Sequence, residues 1–387
     1  MNASRAVDGF VPDWAAITAV ILGVTAFAAA QGLTYPLASL VLERRAVPEG
    51  LIGLNAGSFG VGIVAATLLI RRLTAYLAGD RLIVVGLIGC SLCLATLAGS
   101  EALWIWFAAR FLLGFCAGLI FIMSEAWLNT ACPDRLRGRV SGVYGAGMCA
   151  GFAAGPLAIA VFGTQDGFAF ALLAVYVAAV AFLAAVLSRR TRTRPASSPA
   201  GALLGFLRGA PLLAGMVLAF GFADIADIAA ISVMPVYFVK TGHSEAFAAL
   251  SVTAMALPTA LAQPLVGLLL DRLSRPVVAL GCGLIAAFSF LSIPLLQSEP
   301  AILAVFALMG AASFALYTCA LTLLGERYRG GLLVAGSAVL SMAYAVGSAL
   351  GSSATGFAMD ILGPPAAPLG AGLVLLIFAV LFAFGRR

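Results

Sequence analysis

The sequence predicts an all-α integral membrane protein of twelve transmembrane helices in two pseudo-symmetric six-helix bundles. Three observations predict it: an apolar composition, a succession of apolar runs of spanning length, and a repeat between the two halves of the chain. Of 387 residues, 63% are hydrophobic and only 10% charged, and the mean hydropathy is +1.10. Soluble domains sit near half apolar and a quarter charged. No water-soluble fold hides this much apolar surface, so lipid is the expected solvent.

A spanning helix needs about 20 apolar residues at 1.5 Å each. Twelve runs meet that length: 14–41, 51–70, 82–100, 102–128, 139–163, 168–188, 210–239, 246–270, 276–297, 301–324, 332–359 and 367–385. Met1–Val11 is polar and too short in apolar content for a cleavable signal peptide, so the first run is expected to stay as a membrane helix. Most joints are a few residues long and carry Pro, Gly or charge, as in Glu43-Arg44-Arg45 and Ser298-Glu299-Pro300. One joint is longer. Its Arg, Ser and Pro content reads as a flexible cytoplasmic linker. The expected organisation is an N-terminal bundle (1–188), a linker (189–208) and a C-terminal bundle (209–387).

Basic residues set the orientation, because loops rich in Lys and Arg stay in the cytoplasm. With the N-terminus inside, 18 of the 22 basic residues fall in inside segments. Arg44, Arg45 and Lys240 fall outside, and Arg110 lies within a run. Both termini are therefore expected in the cytoplasm of a bacterial inner membrane. The net charge of +6 follows this topology and is no nucleic-acid signal. Cys90 and Cys93 have the spacing of a redox or metal motif, but lie mid-run with no His or second pair nearby. They read as small lipid- or helix-facing residues. Neither a metal nor a cofactor is expected.

The halves repeat. Pro36 matches Pro235, Arg72-Leu73 matches Arg272-Leu273, and the stretch from Arg135 to Arg139 matches Arg327 to Gly331. In that last alignment Gly155 falls on Gly347. Repeats of this kind place a substrate site near mid-membrane between the halves.

Three stretches carry chemistry. Gly267-x-x-x-Asp271-Arg272-x-x-Arg275 joins the eighth and ninth runs. Its Gly lets two helices approach, and its Asp can cap a helix N-terminus and pair with Arg. The matching place after the second run, Leu69-Ile-Arg71-Arg72, lacks both Gly and Asp. Arg110 lies in the fourth run, where a charge costs at least ~2.5 kcal/mol. Its distance from the run's end favours a working role over a snorkelling anchor. The fifth run holds Gly147-x-x-x-Gly151-x-x-x-Gly155-Pro156. Glycines four apart make a smooth helix face, and Pro removes a backbone bond and is expected to kink the helix.

In these stretches the chain resembles the major facilitator superfamily over essentially its whole length. The resemblance implies that the Gly267–Arg275 stretch is a conformational gate and that Arg110 takes part in proton coupling. It also implies that the Gly-Pro pattern of the fifth run belongs to an antiport-type exporter. Gln31-Gly-Leu-Thr-Tyr-Pro36 and Ser124-Glu125-Ala-Trp127-Leu-Asn129 are similar to a bacterial branch of drug or small-solute permeases.

Embedded acids point the same way. Asp224 and Asp227 lie 14 and 17 positions into the seventh run, roughly 21–26 Å along it. Spaced i and i+3, they share a face. Two carboxylates this close in low dielectric do not both ionise readily, so one is expected to carry a proton; a salt bridge to Arg110 is the plain alternative. Glu125 falls near the cytoplasmic end, as a gate or packing residue. Gln31, Tyr35, Asn55, Tyr144, Ser232, Gln263, Tyr317 and Tyr344 are the candidate cavity residues. An acidic, otherwise apolar pocket suits an amphipathic or cationic organic molecule. The expected function is proton-driven antiport of such a solute by a monomer, with the proton gradient as energy source. Uptake of a nutrient by symport and lipid or lysolipid translocation are the alternatives. No nucleophile constellation or phosphate loop is visible, so an enzyme is not expected.

Overall fold

The structure, a computed structural model, describes residues 12–164, 167–194, 211–327 and 331–384. The first six helices are α1 (Trp14–Arg44), α2 (Glu49–Tyr76), α3 (Gly79–Gly99), α4 (Leu103–Ala131), α5 (Asp134–Phe162) and α6 (Phe168–Ser188). After the linker come α7 (Pro211–Ser232), α8 (Met234–Lys240), α9 (Glu245–Arg272), α10 (Arg275–Ser292), α11 (Glu299–Arg327), α12 (Gly331–Leu362) and α13 (Ala366–Phe384). Among the described residues, nine helices are long and apolar enough to cross a membrane, and the bent pair α7–α8 makes a tenth. The helix order is consistent with twelve crossings.

Helix is the expected solution in lipid, where each backbone N–H and C=O must be satisfied within its own segment. Several helices extend past the apolar runs into charge: α1 to Arg44, α2 to Tyr76, and α5 back to Asp134. The seventh run is the exception to continuity. It breaks at Val233, and the two pieces meet at 44°. Pro235 is the second residue of α8, where its missing N–H costs nothing. By contrast α5 runs uninterrupted through Pro156.

Packing repeats between the halves. Within the first bundle α1 packs on α4, α5 and α6, α2 on α4, and α3 on α4 and α6. Within the second, α7 packs on α11, α12 and α13, α9 on α11, and α10 on α11 and α13. The repeat detected in the sequence is visible at one pair. Gly155 lies against Leu33 on α1, and its counterpart Gly347 lies against Gly221 and Asp224 on α7.

The bundles meet chiefly through α2 against α12 and α5 against α9. On α2, a Cβ at Gly57 would sit 2.6 Å from the Ala349 carbonyl oxygen, and one at Gly60 would sit 2.7 Å from that of Ala345. Glycine is therefore what lets the two backbones touch. The linker's first residues dock on the first bundle. Asp13 caps α1 through Ala16 and accepts from the backbone N–H of Arg192 and Thr193 at 2.7 and 2.9 Å. The Trp127 indole donates to the Thr193 carbonyl at 3.2 Å. The rest of the linker lies outside the described residues.

Candidate functional site

A cavity of about 250 Å³ lies between the bundles. The first bundle contributes Phe27, Ala28 and Gln31 from α1, Phe121 from α4, and Met148 and Phe152 from α5. The second contributes Asp224 and Asp227 from α7, Met255 and Thr259 from α9, Ser313, Phe314 and Tyr317 from α11, and Tyr344 from α12. The two carboxylates are the charged side chains of this lining. The Asp227 carboxylate faces the Ser313 hydroxyl, and its Oδ1 is buried. Tyr344 lies within electrostatic reach of both acids, and Tyr317 within reach of Asp224.

Of the residues expected to line the cavity, Gln31, Tyr317 and Tyr344 do so. Tyr35 does not: it is buried one turn beyond Gln31, its hydroxyl 2.9 Å from that of Ser348. Ser232 bonds to the Ile228 carbonyl and the Ser352 hydroxyl, joining α7 to α12 inside the second bundle. Asn55 is buried in α2 away from the cavity, its amide nitrogen unpartnered. Tyr144 is buried with its hydroxyl unpartnered, near Glu125. The Gln263 side chain lies outside the described residues. The phenylalanines and methionines of the lining escaped the sequence reading because they resemble the lipid-facing residues around them.

Arg110 does not take up the plain alternative of a salt bridge with the acids, and it does not line the cavity. It is 0% exposed, and its guanidinium carbon sits 4.7 Å from the Tyr35 ring centre and 5.2 Å from that of Phe59. None of its three nitrogens has a hydrogen-bond partner. Two aromatic faces are thus what this buried cation is given.

Gly147, Gly151 and Gly155 all face α1, against Thr25, Thr25 and Leu33 respectively. The glycine face of α5 is a packing surface within the first bundle. In the Gly267–Arg275 stretch, Arg275 pairs with Glu326 inside the second bundle, and Arg272 is exposed. The surroundings of Gly267 and the side chain of Asp271 lie outside the described residues. Glu125 is exposed and within electrostatic reach of Tyr144 and Tyr317.

The end of the molecule carrying the α1–α2 joint is closed by contacts between the bundles. Arg44 pairs with Glu245, with the Thr164 hydroxyl bonded to both. Lys240 pairs with Glu49, and with Glu43 at 3.4 Å. The Asp360 carboxylate accepts from the backbone N–H of Glu49 and Gly50, both at 2.8 Å. That places an anion on the N-terminus of α2, where the helix dipole favours it.

Fold and site together define a class: a helical membrane protein whose two six-helix bundles enclose a central cavity sealed at one end. The sequence pattern of the Major Facilitator Superfamily matches residues 20–241 and 216–387, and the chain belongs to that family. It is a transporter of a small solute, not an enzyme. It is 23% identical over 347 residues to the MFS-type transporter YfkF of Bacillus subtilis (strain 168), covering 89% of this chain and 88% of that one. Two solved structures share the fold. A mutant of the nucleoside transporter NupG superposes with a TM-score of 0.79 at 12% identity, over 96% of this chain and 100% of that one. A bacterial homologue of the human lysosomal transporter Spinster, inward-facing and unoccupied, gives 0.79 at 14% identity over 96% of each chain.

Proposed function

We propose that the protein exports a small amphipathic or cationic organic solute across the bacterial inner membrane in exchange for protons. One observation carries this reading: the cavity's charged lining is two carboxylates, Asp224 and Asp227, one helical turn apart among phenylalanines and methionines. A desolvated carboxylate pair attracts a cation or a proton and cannot readily hold two negative charges. The aromatic faces around it favour organic cations further. A single site that takes either occupant is the basis of exchange. With the termini in the cytoplasm, the closed end faces outward.

A thermal-shift screen of the purified transporter at pH 6 and pH 8 tests this reading. Ligand at 100 times its Kd stabilises by about 2.7 kcal/mol. Lipophilic cations are expected to raise Tm, and more at pH 8, where protons compete less for the carboxylate pair. A screen in which anionic or neutral solutes stabilise equally at both pH values would overturn it.

A further inference from the structure

We infer that Tyr344 is the positioning residue that links the charge on Asp224 and Asp227 to closure of the outer end. This rests on the exchange reading above, and it concerns a different part of the molecule from the acids themselves.

Two hydrogen bonds cross between the bundles just outward of the cavity. The Gln31 amide donates to the Tyr344 hydroxyl at 3.4 Å, and the Tyr35 and Ser348 hydroxyls lie 2.9 Å apart. Gln31 and Tyr35 are four residues apart on α1, and Tyr344 and Ser348 are four apart on α12. The two bonds are therefore successive rungs, one helical turn (about 5.4 Å) apart. The inner rung borders the cavity; the outer one is buried. Beneath the outer rung the Arg110 guanidinium stacks on the Tyr35 ring, fixing the side of the rung that belongs to the first bundle. Opening the outer end must break both rungs.

Tyr344 has one proton to give, and its bond with Gln31 uses the oxygen as acceptor. The O–H is left free, and Asp224 and Asp227 line the same cavity, with Gly347, three residues past Tyr344 on α12, packed against Asp224. The titratable and charged groups facing this rung are Asp224 and Asp227 from α7 and Tyr35 from α1. Behind them stand Tyr317 on α11, facing Asp224 and Glu125, and Arg110 on α4, facing Tyr35. The acids are thus the negative groups within reach of Tyr344 among the described residues. An ionised carboxylate in this cavity would accept from the free Tyr344 O–H, polarising the hydroxyl and strengthening the bond it receives from Gln31. A carboxyl neutralised by a proton, or occupied by an organic cation, withdraws that support. The long inner rung then weakens and the outer end is released.

This arrangement supplies what exchange requires. The empty, ionised carrier stays locked with its outer end closed, while either a proton or a cationic solute unlocks it. An unloaded carrier that cannot cross does not leak the gradient.

The test needs no substrate. Spin labels at Glu101→Cys and Ser298→Cys, exposed positions on the outer joints of opposite bundles, report outer opening by electron–electron distance measurement in nanodiscs from pH 5 to 9. In the wild type the ratio of closed to open outer ends should rise with pH, by up to about tenfold per unit where one proton is linked. Tyr344→Phe, which keeps the ring, should flatten this profile to less than about twofold across the range, at unchanged Tm. Gln31→Leu should do the same, and the double variant should add nothing. A Tyr344→Phe profile as steep as the wild type overturns the role of Tyr344 while leaving proton exchange standing. A wild type with no pH dependence overturns the exchange reading itself.

Discussion

Substituting Gly57 by Ala tests the α2–α12 closure directly. The added Cβ would lie 2.6 Å from the Ala349 carbonyl oxygen and 2.8 Å from the Ser353 hydroxyl. One of these neighbours is backbone and cannot swing away, so the helices must part by a few tenths of an ångström. Overpacking a fitted interface costs about 1–3 kcal/mol. On the alternating-access reading α2 and α12 part there on opening, so the cost falls on the state whose outer end is closed. The closed-to-open ratio should therefore fall about 5- to 150-fold. Distance distributions between labels at positions 101 and 298 read the shift at one fixed pH. The long-distance population should grow while total helix content stays unchanged. A distribution identical to the wild type, accompanied by a lower Tm, would refute the reasoning: the methyl would then strain both states alike, and α2–α12 contact would not be the closing surface.

Two further predictions concern charged groups at the ends of the molecule. Asp360→Ala removes the anion from the N-terminus of α2. Losing such a cap costs about 0.5–2 kcal/mol, so the closed outer end should lose roughly 2- to 30-fold in population by the same distance measurement; no change would mean the cap is equally formed in both states. At the other end, burial pushes the Asp13 carboxyl up. The N–H groups of Ala16, Arg192 and Thr193 and the Thr193 hydroxyl outweigh that and hold it below its ordinary value. A depressed folded-state value means stability present above the unfolded value and lost as pH falls through the folded one. Hydrogen-exchange protection factors at residues 191–194 should therefore be high at neutral pH and fall below about pH 4, and Asp13→Ala should lower them at neutral pH as well.

The sequence made the helices legible because lipid demands long apolar runs, and it made the joints legible because charge and Pro interrupt them. It underestimated α1, α2 and α5 for a physical reason: helix continues past the membrane into Arg and Glu, while hydropathy stops at its edge. The break at Val233 was hidden inside one apolar run, although Pro235 carried the signal. The acids, Gln31, Tyr317 and Tyr344 were legible as cavity groups because polar atoms are costly in lipid. Tyr35, Asn55 and Ser232 obey the same rule by a different route, satisfied or buried between helices rather than facing the cavity. Arg110 shows the limit of this argument. Its cost in the membrane is real, yet the partner is a pair of aromatic faces, and nothing in the spacing of Tyr35, Phe59 and Arg110 announces that they converge. Trp127, noticed in the sequence as part of a stretch, turns out to tether the linker.

The central claim is that the acid pair on α7 couples solute movement to protons. Proteoliposomes containing the wild type or Asp227→Asn, loaded with the fluorescent lipophilic cation ethidium, test it most directly. In the wild type, an inward proton gradient should drive ethidium out, and collapsing that gradient with a protonophore should stop it. In Asp227→Asn, gradient-driven flux should be lost while ethidium–ethidium exchange without a gradient continues. Wild-type efflux that runs undiminished after the gradient is collapsed, or an Asp227→Asn protein that still follows it, would contradict the account.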